Sequence, residues 1–293
     1  MFGLGGWLRR RTLARAAIDD GVWMDAVARC RVADHLDPAA TRRLRELVTL
    51  FLDRKQFTAA GGLELDDGMR LAIALQACVP ILELGIDSYA PWIEVIVYPG
   101  EFIVEREHVD EAGVVHEVRE SLSGESWAGG PVILSWADVE AANPEEPYNV
   151  VLHEFAHKLD MLDGAADGIP PLHAGMSRSA WHAAFSAAYD DFVDRVEQLE
   201  RLEHRASRSS RRMAVPDVLD LSSLDGQWAA LPLDPYAEKD AAEFFACTSE
   251  VFFEAPDRLH GAYPAVYRQL ADFYLQDPLG RVRPDSVSPS GRR

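Results

Sequence analysis

One pentad, His153-Glu154-Phe155-Ala156-His157, constrains this chain more than any other feature, because it lies inside the apolar run NVVLHEFAHKLDML. The spacing of apolar residues predicts a buried helix that ends near Gly164. On such a helix the two histidines fall one turn apart on the same face, where both imidazoles can grip one metal ion. Glu154, beside them, can accept a proton from a water attacking a carbonyl and later pass it to a leaving amine. The bare pattern arises by chance in roughly one chain in a hundred of this length, so the flanks decide its meaning. Val150, Val151, Leu152 and Phe155 make the helix too apolar for a solvated face. Polar groups buried there need a partner, and a metal supplies one.

Zinc suits two imidazoles and a carboxylate with one position left open for water. Candidates for the third ligand after the helix are Asp160, Asp163, His173, His182, Glu243 and Glu250. The residue six beyond His157 is Asp163, so the third histidine of the HExxHxxGxxH pattern is absent. In DAAEFFACTSE, Glu243 and Glu250 lie seven apart on one apolar helix face, and the spacing leaves both open. Asp160, one turn past His157, is placed to orient an imidazole by accepting its second N–H, though the spacing fits an exposed helical carboxylate as well.

Around this helix the texture changes along the chain. From about Trp23 to Leu84 it is helical, with RRLRELVTLFLDRKQF and MRLAIALQACVPILEL both at three-and-four spacing. WIEVIVYP, EFIVER, VVHEVRESL and GPVILSW then predict strands of one sheet, separated by turns at Pro99-Gly100, Asp110 to Gly113 and Ala128 to Gly130. GPVILSW is expected at the edge, where an extended peptide can pair with it. A loop spans Asn143 to Pro147, and a helix runs from about Ser179 through Arg201. EHRASRSSRRMAVPD, basic and serine-rich, reads as an exposed lid or insertion, and two helical blocks, DAAEFFACTSEVFFEAP and AYPAVYRQLADFYLQ, follow it. The expected organisation is α+β: a helical region, 1–90, packed on a catalytic region, 91–280, with a disordered tail, 281–293.

Forty-eight acidic against 29 basic residues give a net charge of −19, which argues against nonspecific binding to nucleic acid or anionic membrane. Cys30, Cys78 and Cys247 are too scattered for a zinc knuckle or redox pair and read as reduced core thiols of a cytoplasmic protein. The basic cluster of MFGLGGWLRRRTLARA follows its apolar residues, Phe2, Leu4, Trp7 and Leu8, and no long apolar run comes after. A signal peptide or stable membrane insertion is therefore not expected, and a packed or frayed end is.

NVVLHEFAHKLDMLDG, VIVYPGEF, GPVILSW and PYAEKDAAEFFACTSEVFF together resemble the Mlc titration factor A family of bacterial zinc peptidases, over roughly residues 50 to 275. The resemblance implies a zincin-like metallopeptidase with one zinc per chain and aminopeptidase activity on small peptides. It also implies a second role, sequestering a transcriptional repressor of sugar uptake. The family is related in its catalytic part to the anthrax lethal factor peptidase, whose third zinc ligand lies in a segment reading EAEFFAE. That segment matches Ala242 to Ala246, so the resemblance favours Glu243 over Glu250 beside His153 and His157. A tyrosine seven residues before that ligand assists the transition state in the relative, and the position here is Tyr236. The implied catalytic pair is Glu154 and Tyr236. The chain departs from the family in a longer stretch before Glu243, swollen around His204 to Val215, which bears on substrate access rather than on the ligand set.

Overall fold

The computed structural model describes residues 4–34, 36–109, 115–127, 129–141, 147–164, 166–210 and 221–281. Three aspartates start the first helices by accepting free N–H groups at their N-termini. Asp19 caps α2 (Asp20–Arg29) and Asp66 caps α4 (Asp67–Cys78). Asp37, followed by Pro38, caps α3 (Pro38–Arg54) through Ala39 and Ala40 at 2.8 and 2.7 Å. The preceding α1 (Leu4–Arg15) docks on α3 through polar contacts, Arg9 with Glu46 and Thr12 and Arg15 with Asp53, each at 3.2 Å. That agrees with a packed end for the N-terminal basic segment, of which Phe2 lies outside the described residues.

The helical reading through Phe57 is corrected: α3 stops at Arg54, and Gln56–Ala59 is strand β1. Lys55 turns the chain there, its buried ammonium donating to the carbonyls of Tyr89 and Trp92 while lying 3.6 Å from the Trp92 ring centroid. Local periodicity could not mark this stop, because the apolar spacing of α3 runs into a short strand that pairs only with distant sequence.

β1 is the first strand of a four-stranded sheet in the order β1-β2-β6-β5, with β2 at Glu94–Tyr98, β5 at Gly124–Ser126 and β6 at Val132–Ser135. The first three run parallel and β5 closes the sheet antiparallel to β6. Two expectations fail here. EFIVER and VVHEVRESL do not join this sheet but form their own hairpin, β3 (Phe102–Val109) with β4 (Val115–Leu122). GPVILSW is not the edge: β6 has β2 on one side and β5 on the other, and β5 is the end strand beside the cleft described below. The turn residues 110–114 lie outside the described residues.

After α5 (Trp136–Glu140), the expected loop at 143–147 falls mostly outside the described residues. Helix α6 (Val150–Asp160) then carries the pentad, and a turn closed by Gly164 at φ 103° ends it, as expected. Helix α7 (Arg178–Ser210) buries Trp181, Phe185, Ala188, Phe192, Val196 and Leu199 at three-and-four spacing. It runs past the expected end at Arg201, so the basic, serine-rich stretch begins inside a helix, while 211–220 lie outside the described residues. The rest is α8 (Leu221–Ala229), α9 (Ala241–Glu254), α10 (Pro256–Ala262) and α11 (Pro264–Tyr274), the last two each opened by proline. The tail from 282 lies outside the described residues.

The described molecule is mixed α+β, and one cluster of buried side chains runs through it from Trp23 to Tyr274. Helix α6 lies in its middle, against α4, α9 and β5. Among the described residues no helix is long and apolar enough to cross a membrane.

Candidate metal centre

Asn149 fixes where α6 begins: its side chain accepts from the Leu152 N–H at 2.9 Å, and its amide donates to Gln76 and Glu254 at 2.7 and 2.8 Å. With Leu152, Phe155 and Leu159 turned into the core, His153, Glu154 and His157 face a cleft of about 450 Å³. Opposite, Asp240 caps α9 by accepting from Ala242 and Glu243 at 3.0 and 2.9 Å. The cap puts the Glu243 carboxylate on the first turn of α9, where the helix dipole favours negative charge.

Three atoms converge. His153 Nε2 and His157 Nε2 lie 2.9 and 3.1 Å from Glu243 Oε2, and 3.2 Å from each other. A tetrahedral ion with bonds of about 2.0–2.2 Å spaces its ligands about 3.3 Å apart, so these side chains fit one with shifts of a few tenths of an ångström. The outer nitrogen of His153 supports the same reading. Its Nδ1 lies 2.6 Å from Glu250 Oε1, and a proton held there leaves the Nε2 lone pair facing the cleft. Glu250 Oε2 in turn accepts the Asn149 N–H at 2.7 Å.

The seven-residue spacing of Glu243 and Glu250 therefore puts one carboxylate on each side of the His153 ring. Glu250 takes the orienting part that spacing offered Asp160, whose Oδ2 accepts instead from the Gly168 N–H at 2.9 Å. The other candidates are elsewhere: Asp163 and His182 are exposed, and His173 Nε2 bonds the Phe273 carbonyl at 2.7 Å. Cys247 Sγ lies 4.0 Å from His153 Nδ1, on the Glu250 side of the ring, and burial pushes its pKa up to about 12.

Burial works against charge on His153, yet the Glu250 charge and the hydrogen bonds around the ring hold its pKa well above the ordinary value. Burial also works against Glu243, and there the two imidazoles prevail and keep the carboxyl ionised far below its usual range. A cation binding at the three atoms has to displace the imidazole proton, so its affinity weakens as pH falls.

Glu154, 5% exposed, lies beside the three atoms with its carboxyl pKa raised by burial. Tyr236 reaches in from the far wall, its hydroxyl donating to Glu243 Oε1 at 3.0 Å, and partial burial raises the phenol pKa further above its ordinary value. Lys239 Nζ, which sequence reasoning passed over, donates to Tyr236 Oη at 2.7 Å and to Glu243 Oε1 at 3.2 Å. Its position three after Tyr236 and four before Glu243 was the available signal. Ser126 Oγ, 2.7 Å from Glu154 Oε2, was also missed, and no local signal links two residues 28 apart on a strand and a helix.

Residues 4–275 match the model of the family described as glucose-regulated metallo-peptidase M90. The chain belongs to that family. It is 35% identical over 274 residues to Mlc titration factor A of Klebsiella pneumoniae (strain 342), covering 92% of each chain. It is 36% identical over 268 residues to the protein of that name from Salmonella schwarzengrund, covering 90% of this chain and 89% of the relative. The family resemblance drawn from the separated motifs thus holds over nearly the whole chain, and the convergent His and Glu side chains sit inside the matched span.

Proposed function

We propose that this member of the M90 family is a zincin-like zinc peptidase acting on peptides, with His153, His157 and Glu243 as ligands of one zinc ion and an aminopeptidase preference. The observation that carries the reading is the convergence of three donor atoms within 3.2 Å of one another, in a cleft that also holds a buried carboxylate. Zinc, when bound, lowers the pKa of a coordinated water to about 7 and polarises the carbonyl under attack. Glu154 accepts the proton of the attacking water and delivers it to the leaving amine, and the burial that raises its pKa makes it a stronger base. Tyr236, protonated at neutral pH, turns its hydroxyl from Glu243 to the developing oxyanion. Lys239 holds the phenol within reach of that position. Backbone groups of β5, the end strand lining the cleft, align an extended substrate in the place once expected of β6. Three buried free cysteines support a cytoplasmic setting.

The names of the relatives support a second role, binding a repressor of the Mlc kind. Such a role needs a docking surface and can coexist with hydrolysis.

The deciding experiment is hydrolysis of alanine p-nitroanilide by the purified protein beside Glu154→Gln and beside a chelated sample refilled with zinc. Activity lost in both controls and restored by zinc supports the peptidase reading. Wild-type protein as silent as Glu154→Gln moves repressor binding ahead.

A further inference from the structure

The strand β5 presses on Glu154 at two points. Ser126 Oγ lies 2.7 Å from Glu154 Oε2 and 2.9 Å from the Glu154 carbonyl oxygen. A hydroxyl has one proton to give, and the carboxylate is the stronger acceptor. Two residues earlier, on the same face of the strand, stands Gly124. A Cβ there would lie 2.4 Å from Glu154 Oε1, 2.7 Å from its Cγ and 2.8 Å from its Cδ. The carboxylate occupies the space that any other side chain at 124 would fill. Gly124 has no positive φ to explain it, and glycine weakens a strand interior, so close approach is what the position serves. The strand cannot easily withdraw, because its ladder to β6 pairs Gly124 with Leu134 and Ser126 with Val132.

We propose that Gly124 and Ser126 form a cradle that fixes the Glu154 carboxylate towards the reacting carbonyl, one by leaving room and the other by donating a hydrogen bond. They are positioning residues, and the inference rests on reading Glu154 as the base. A carboxylate at the end of two rotatable methylenes has several rotamers open to it, and the cradle selects one without touching the metal ligands. Base position and ion binding are thereby separate properties of the site, one set by the sheet edge and the other by α6 and α9.

The test uses zinc-loaded Ser126→Ala, Ser126→Thr, Gly124→Ala and Glu154→Gln beside the wild type, with two readouts. The first is kcat and KM on alanine p-nitroanilide, with zinc content measured on the same samples. Ser126→Ala lowers kcat about 10–100-fold at near-normal KM and full zinc content, Ser126→Thr recovers most of the loss, and Gly124→Ala falls at least as far as Ser126→Ala. The second is calorimetric binding of acetohydroxamate, which needs zinc and a correctly placed carboxylate but no turnover. Ser126→Ala, Gly124→Ala and Glu154→Gln each weaken it by about tenfold or more. Equal hydroxamate affinity in the wild type, Ser126→Ala and Gly124→Ala overturns the cradle whatever the turnover shows. If the wild type hydrolyses nothing while hydroxamate binding weakens in the variants as stated, Gly124 and Ser126 still place the carboxylate, but the peptidase reading falls and with it the part of the proposal that aims Glu154 at a reacting carbonyl. Failure of the zinc-loaded wild type to bind hydroxamate overturns both.

Discussion

On the side of α6 that faces α3, Phe155 is fully buried, its ring centroid 5.7, 5.2 and 5.4 Å from those of Phe51, Tyr89 and Trp92. On the side that faces α9 and β5, His153 and Glu154 are also nearly buried, but each is tied to a polar partner, Glu250 in one case and Ser126 in the other. The back of the helix gains free energy from water's exclusion, whereas the front gives up hydration and recovers it only through matched partners. One helix thus joins an apolar face that serves stability to a polar face that serves the proposed chemistry. Aromatic packing and polar partners hold opposite sides of the same helix.

That contrast can be broken at several points. The largest effect belongs to the front: Glu154→Gln should lose about 10³-fold in kcat on alanine p-nitroanilide while keeping its zinc and its melting temperature. A shared loss of activity and stability would mean that the two faces are not separable. At the back, Phe155→Ala should cost about 3–5 kcal/mol in urea unfolding of the metal-free protein. A cost under about 1 kcal/mol would show that the aromatic cluster is not what anchors α6. Between the faces, Glu250→Gln should weaken zinc binding about 10–100-fold in a competition titration, because the outer nitrogen of His153 loses its charged acceptor. Unchanged affinity would leave Glu250 a purely structural contact.

The smallest effect is a pH dependence at the back. Burial lowers the Lys55 pKa from its ordinary 10.5 to about 8, so between those values the unfolded chain holds a proton that the folded protein has released. Stability should therefore rise with pH across that window relative to Lys55→Met, as read from urea midpoints at pH 7.5 and 10. A difference that does not vary with pH would place the Lys55 ammonium in contact with water.

The two faces of α6 were legible together, but their partners on other elements were not. The periodicity of NVVLHEFAHKLDML made both visible at once, because a helix converts spacing directly into sides. The same logic put Glu243 and Glu250 on one face of α9, but only geometry across 90 residues and more shows that they flank a single imidazole, one at each nitrogen. Strand order carries no local signal. The three residues of β5 are too few to show alternation, and β6, apolar up to Ser135, reads equally well as edge or interior until its partners are known. Helical spacing offers Asp160 an orienting role, but one of its oxygens accepts the nearby Gly168 amide and neither is hydrogen-bonded to an imidazole.

His153 and Glu243 meet across 90 positions of chain. During synthesis, which runs from the N-terminus at about 5–20 residues per second, α6 is complete on the order of ten seconds before α9 exists. For that interval the nascent chain carries two histidines and a glutamate with no third donor to close the set. A truncated or stalled product ending anywhere before Glu243 is therefore left without the full constellation, so the order in which the sequence is made withholds the candidate site until most of the protein is present.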